Sequence, residues 1–327
     1  MFRFLRKRFG RAATTLLGIT LINFALISVI PGDPVSGSGD DMSLGTSNAA
    51  YRALIREQFH LDEPFWKRYG LWLGGLASGD LGISMETREP VIERLKPALW
   101  NTLRLNVVAV LVVYMIAIPL GAVAAANRGR ALDTVTGVAL FGLYSLPNFW
   151  VGTLLLVFLA GGQYLNWFPA RGLGPDSLAD AGIWNRLWAS VPHFVLPVIT
   201  LAYLQLAALS RYARTGFLEA LAQDYVRTAR AKGLSSTAVL RKHVARNSLI
   251  PVITEFGVVL PALVSGSIVV ESIFSIPGMG RLAVAAVFAR DYPMILAINL
   301  ILAVLTLAGM ILTDLLYAWL DPRIELT

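Results

Sequence analysis

The stretch EALAQDYVRTARAKGLSSTAVLRKHVARNSLIP, from Glu219 to Pro251, is basic, rich in helix formers and bounded on both sides by long apolar runs. That setting makes it a water-exposed loop with its own secondary structure, held between membrane spans. From Glu219 to Lys232 the residues are mostly Ala, Leu, Arg, Gln and Glu, all strong helix formers. Gly233 stands where a residue just past a helix end needs positive φ, and Leu234 where such a cap makes its apolar contact. Ser235 or Ser236 can then cap a second helix running through Leu240 toward the membrane. The spacing therefore predicts helix, glycine turn, helix. Thr228, Ala229 and Ala231 are small, so the end of the first helix can come close to another surface, ringed by Arg227, Arg230 and Lys232. Such a knob suits a cleft in a soluble partner, and it equally suits an anionic lipid surface.

Working outward, 56% of the 327 residues are hydrophobic and 15% charged, with a mean hydropathy of +0.62. That composition belongs to a polytopic membrane protein. Lipid cannot satisfy backbone N–H and C=O groups, so spans must be helices or closed barrels, and continuous rather than alternating apolar runs exclude the barrel. The expected fold is all-α and polytopic. Without cysteine, disulfides and thiolate metal sites are excluded. The net charge of +7 and pI of 9.8 reflect Lys and Arg kept on the cytoplasmic side of a membrane, not a nucleic-acid partner.

Residues 1–11 form a short basic head, and the apolar run 12–30 is long enough to span and ends in Pro31-Gly-Asp-Pro34, not in a small-residue cleavage site, so it reads as an uncleaved first span. Residues 31–98 form an outer loop with an aromatic patch at Phe59, Phe65, Trp66, Tyr69 and Trp72, whose Phe65 to Leu76 part reads as an interfacial helix; Gly79-Asp-Leu-Gly82 reads as a turn. Further apolar runs at 105–126, 134–160, 194–209, 249–270 and 294–320 give about six spans in all. An even count returns the C-terminal tail, 321–327, to the cytoplasm. The loops 127–133 and 210–247 then lie inside, the latter carrying Arg211, Arg214, Arg227, Arg230, Lys232, Arg241, Lys242 and Arg246, in agreement with the positive-inside rule. The first outer loop also carries cations, but its acids outnumber them and long loops translocate largely regardless of charge.

Within the spans, Asn299, Thr306 and Thr313 recur every seven residues beside Gly309, along one helical face. That face serves either helix packing or a substrate path. Glu255 lies inside the fifth span, where a carboxylate is costly, and should face a cavity or a basic partner. Glu271 is expected near the outer mouth, with access to water. No catalytic constellation emerges: there is no Gly-x-x-x-x-Gly-Lys phosphate loop, no His-Glu-x-x-His zinc site and no Gly-x-Ser-x-Gly turn. His60, His193 and His243 are scattered over separate segments, which leaves no metal site, no cofactor site and no hydrolytic chemistry in this chain.

The loop segment Asp224-Tyr-Val-Arg-Thr-Ala-Arg-Ala-Lys-Gly-Leu-Ser235, followed by His243-Val-Ala-Arg-Asn247 and Leu-Ile-Pro251, resembles the cytoplasmic loop of permease subunits of binding-protein-dependent ABC importers of the dipeptide/oligopeptide/nickel family. Of the general signature, Glu-Ala-Ala-x3-Gly followed by Ile-x-Leu-Pro, only Ala229 and Gly233 match directly. Arg227 and Thr228 stand for Glu-Ala, and His243 to Arg246 for Ile-x-Leu-Pro, as is similar to the peptide-permease version. Other motifs extend the resemblance along the chain: Pro31 to Pro34, Gly79 to Gly82, Leu146-Pro-Asn148, Glu271-Ser-Ile-Phe-Ser-Ile-Pro-Gly278 and Arg290-Asp-Tyr-Pro293.

The resemblance implies a type I ABC importer permease fold, with a transmembrane domain at 12–320 and a coupling loop at 210–247. It implies a coupling helix that docks on a cytoplasmic ATPase through Arg227, Thr228, Ala229, Arg230, Ala231, Lys232, Gly233 and Leu234. The implied partners are a second permease subunit, two ATPase subunits or domains, an extracytoplasmic substrate-binding protein and membrane lipid. Location in a bacterial or archaeal cytoplasmic membrane follows, with Glu255, Asn299 and Thr306 as candidates for the path and peptides or similar small solutes as cargo. The rival reading is an autonomous secondary transporter or channel, prompted by Glu255 and the polar face of the last span.

Overall fold

A computed structural model describes residues 2–29, 56–57, 60, 62–162, 164–174, 182–240, 244–248, 252, 259 and 262–320. Pro31 to Pro34, Lys242, His243, Glu255 and the tail 321–327 lie outside the described residues. The helices are α1 (Phe2–Val29), α2 (Phe65–Ala77), α3 (Val91–Ala126), α4 (Ala131–Tyr144), α5 (Asn148–Leu159) and α6 (Ile183–Leu221). They continue as α7 (Asp224–Ala231), α8 (Ser236–Val239), α9 (Ala245–Ser248), α10 (Ile268–Ile273), α11 (Met279–Phe288) and α12 (Tyr292–Leu320). Among the described residues the only strand-like pairing is an isolated bridge between Ile83 and Pro90.

Among the described residues, four helical stretches are long and apolar enough to cross a membrane: Arg8–Val29, Val91–Ala126, Ile183–Leu221 and Tyr292–Leu315. The run 134–160, expected as one span, is instead the pair α4 and α5, bent by 92°. Its break falls at Ser145-Leu146-Pro147, because Pro147 has no N–H to continue the helix and sits as the N-cap of α5 with extended backbone. The carbonyl of Leu146 freed there accepts a hydrogen bond from the Tyr203 hydroxyl at 2.8 Å. The run 194–209 is the middle of α6, whose 39 residues continue through Pro192 and Pro197. At about 1.5 Å per residue, such a helix outreaches a hydrocarbon layer roughly 30 Å thick. Half of the run 249–270 lies outside the described residues, and its far end is interrupted at Gly266, with φ of 70°, before Ser267 caps α10.

The chain divides into two compact units, residues 1–100 with 277–327 and residues 101–276. In the first, Val91, Leu95 and Ala98 of α3 bury against Met279 and Ala286 of α11 and Met294, Ala297 and Ile298 of α12. Helix α1 packs on α12 and α2, with Phe24 edge-on to Phe65 and Tyr69. A helix, α2, and a turn are both present at the expected residues. Gly79 and Gly82 have φ of 83° and 86°, and the Gly82 N–H donates to the Asp80 carboxylate at 2.8 Å, closing an Asx turn. Buried Asp291 accepts from the Ser84 hydroxyl and, at 3.0 Å, from the Met85 N–H, which clasps this turn to the start of α12.

The second unit is built around α6, which packs against α4, α5, α9 and α10. Its crossing with α3 is made close by Gly121: a Cβ there would lie 2.6 Å from the Ala213 Cβ and 2.8 Å from both the Arg214 nitrogen and the Ser210 oxygen. A second cluster joins Leu105 and Ala109 of α3 to Leu196 and Val198 of α6 and Val270, Phe274 and Ile276 at α10.

Candidate functional site: the basic loop and its mounting

The sequence predicts one helix from Glu219 to Lys232, and the structure breaks it. Helix α6 ends at Leu221 through short turns, Ala222 N–H to Glu219 O and Gln223 N–H to Ala220 O, both 3.3 Å. Gln223 is extended, at φ −76° and ψ 152°, and α7 restarts at Asp224, an acid placed at the positive end of the new helix. The break makes α7 a separate helix joined to α6 through the extended Gln223.

The far end of α7 follows the sequence expectation. Gly233 has φ of 79°; its N–H donates to Arg230 O at 2.9 Å and the Leu234 N–H to Ala229 O at 3.3 Å. That pair of bonds is a Schellman cap. Ser235 then accepts from the Ala238 N–H through its hydroxyl at 3.3 Å and starts α8, while Leu234 is left exposed.

Helix α7 has two distinct sides. Val226 and Ala229 are 0% and 5% exposed and sit in a cluster with Ala122 and Ala125 of α3, Phe217 and Ala220 of α6, Val239 and Val244. Arg227, Thr228, Arg230, Ala231, Lys232 and Gly233 face outward. Ala229 is therefore turned into the protein's own interior, against the sequence expectation of a small residue on the outer face. Its methyl group allows α7 to sit close to α6.

The short loop before α4 joins this mounting. The guanidinium of Arg214 on α6 grips Asp133 in the first turn of α4 by two parallel bonds, Nε to Oδ1 at 2.7 Å and Nη2 to Oδ2 at 2.8 Å. Asp133 also accepts from the Gly129 N–H at 3.0 Å. A fork of this kind fixes orientation as well as distance. Sequence reasoning counted Arg214 among the loop cations without finding its partner; the signal available was a single acid, Asp133, in a short inner loop otherwise basic.

The candidates for a path divide. Asn299 donates from Nδ2 to the Asn23 Oδ1 on α1 at 3.4 Å, and the hydroxyls of Thr306 and Thr313 donate to Leu302 O and Gly309 O on their own helix at 2.7 and 2.8 Å. The polar face of α12 is thus engaged in helix packing and backbone bonding. Glu255 lies outside the described residues. Glu271, expected near water, is 1% exposed and accepts from the Thr102 hydroxyl of α3 at 2.9 Å, and its helix α10 packs on α5 and α6.

Residues 117–326 match the family described as binding-protein-dependent transport system inner membrane component, and residues 1–106 match the N-terminal membrane component of such systems. The chain belongs to this family. The permease is 39% identical over 327 residues to the oligopeptide transport system permease protein AppB of Bacillus subtilis strain 168, covering 99% of this chain and 100% of that one. It is 38% identical over 342 residues to the dipeptide transport system permease protein DppB of Escherichia coli strain K12, covering 99% of each chain. In fold it is similar to the MetNI methionine ABC transporter in an inward-facing conformation, with a TM-score of 0.54, 16% identity, and 70% of this chain and 97% of that chain covered. The permease is a multi-pass, all-α membrane subunit of an ABC importer of the peptide family, as the basic loop led the sequence reading to expect.

Proposed function

We propose that the permease carries peptides across the cytoplasmic membrane, with α7 as the coupling helix on which a cytoplasmic ATPase docks. The observation that carries this reading is the two-sided build of α7, anchored by Val226 and Ala229 and offering Arg227, Thr228, Arg230, Ala231, Lys232, Gly233 and Leu234 outward. A helix held this way moves with the wall beneath it. Closure of the ATPase pair on ATP displaces α7, and the cluster of α3, α6 and α7 side chains passes that displacement to α6 and α3 as one body. The Arg214 to Asp133 fork carries it to α4 and the bent span.

ATP is hydrolysed on the partner subunits, since no phosphate loop occurs in this sequence. A second permease subunit completes the path, an extracytoplasmic binding protein delivers the cargo, and both termini face the cytoplasm. Peptide cargo is inferred from the oligopeptide and dipeptide permeases to which the chain is similar.

The test is Gly233→Val in the assembled transporter. No neighbour lies within 4 Å of a Cβ there, so the substitution strains the positive-φ backbone without a clash. The cost is about 1–3 kcal/mol for a residue unsuited to that conformation. Uptake and binding-protein-stimulated ATP hydrolysis both fall, and Gly233→Asn, which tolerates left-handed φ, retains more of each. Unchanged rates in the valine variant, with the ATPase still co-purifying, would refute α7 as the docking element.

A further inference from the structure

A cavity of about 330 Å³ lies in the first unit, between the last turns of α1, helix α2, the 80–85 loop and the first turn of α12. Nothing in the coupling construction uses it. Phe24, Ile27, Trp72 and Leu296 give it an apolar floor, and Arg68 and Asp80 stand at its wall. The two charges are not paired with one another. The Arg68 guanidinium lies over the Phe24 ring, 5.7 Å from its centroid, and meets no carboxylate among the described residues. Burial holds it below the ordinary guanidinium pKa, offset in part by the nearby Tyr292 phenol, and it remains a cation. Asp80 gives one oxygen to the Gly82 N–H, and its other oxygen makes no bond among the described residues. Neighbouring charges of the same segment do pair, Lys67 with Glu63 at 2.7 Å and Arg56 with Asp62 at 3.7 Å.

The surroundings say which ligand chemistry this pair serves. Leu26 and Val29, beside the cavity residues Ile27 and Ser28, are 62% and 79% exposed, and Trp66 on α2 is 71% exposed. An exposed apolar helix end beside exposed tryptophan is the pattern of a bilayer interface. The cavity thus combines a partly desolvated cation, a carboxylate and an apolar floor at the level of lipid headgroups.

We propose that the cavity binds an aminophospholipid, with the phosphate against Arg68, the ammonium against Asp80 and the first acyl segment over Phe24, Ile27 and Leu296. A free dipeptide presents a similar ammonium and acid pair, but it has only short side chains where a lipid runs an acyl chain along that floor and out into the bilayer.

The experiment is native mass spectrometry of the intact transporter purified from membranes, followed by titration with phosphatidylethanolamine, phosphatidylglycerol and a dipeptide. The parent complex retains phosphatidylethanolamine, and Arg68→Gln lowers its occupancy on the order of tenfold, the scale of one charge-assisted hydrogen bond. Arg68→Lys restores it in part, which separates lost charge from damaged packing. Asp80→Asn removes the preference for phosphatidylethanolamine over phosphatidylglycerol while lipid is still retained. Equal lipid retention in the parent and both neutral variants overturns the proposal, as does displacement of the lipid by the dipeptide.

Discussion

Replacing Gly121 with alanine adds one methyl group at the point where α3 and α6 cross. That methyl carbon would lie 2.6 Å from the Ala213 Cβ and 2.8 Å from two backbone atoms of α6. Ordinary carbon contacts lie at about 3.5–4.0 Å, so the helices must separate by roughly 1 Å. Backbone atoms cannot swing aside as a long side chain can. The expected cost is about 1–3 kcal/mol, the range for overpacking a well-filled interior. The separation also loosens the cluster that seats α7, because Ala122 and Ala125 follow Gly121 on the same helix and belong to that cluster. The assay compares Gly121→Ala with Gly137→Ala on α4, where a Cβ meets nothing within 4 Å. The first lowers the apparent thermal midpoint of the purified complex and its ATP-driven uptake; the second leaves both unchanged or raises the midpoint slightly, as removal of a helical glycine does. A Gly121→Ala permease with the parent's midpoint and uptake would refute the argument that this crossing is filled to contact.

Two further substitutions probe the chain of contacts behind α7. Asp133→Asn keeps the shape and removes the charge gripped by Arg214, so uptake per ATP hydrolysed falls several-fold while the complex still assembles; the exchange Asp133→Arg with Arg214→Asp recovers part of it. Equal coupling ratios in parent and variant would show the fork to be dispensable. Glu271→Ala leaves the Thr102 hydroxyl without its carboxylate and lowers stability by about 1–3 kcal/mol, whereas Glu271→Gln retains an acceptor and loses less, as read from thermal midpoints.

What was legible in the sequence was whatever one segment determines alone. The apolar runs announced helices, Gly233 announced its positive φ, and Asp80 with its flanking glycines announced a turn, since each depends on neighbours a few residues away. Pro147 was visible too, but the 92° bend it initiates is stabilised by Tyr203 from another helix, which no local pattern contains. The same reason hid the burial of Glu271 and the inward turn of Ala229. Exposure of these residues is decided by what α10 and α7 fold against, and a small residue beside a ring of cations reads alike on either side of a helix. Pro192 and Pro197 set the opposite trap: both are breakers by local rule, yet α6 continues through them.

The first unit is assembled from two segments far apart in sequence. Arg8 pairs with Asp314, 306 residues later, and Asn23 meets Asn299. During synthesis α1 leaves the ribosome long before α12, so its polar groups wait for the intervening helices before they meet these partners. The second unit is continuous in sequence and faces no such delay. A chain that stops short of α12 would retain the coupling loop and its mounting but leave the α1 face unmatched in the bilayer. A nonsense mutation ahead of α12 would therefore produce a permease whose defect lies in biogenesis before it lies in transport.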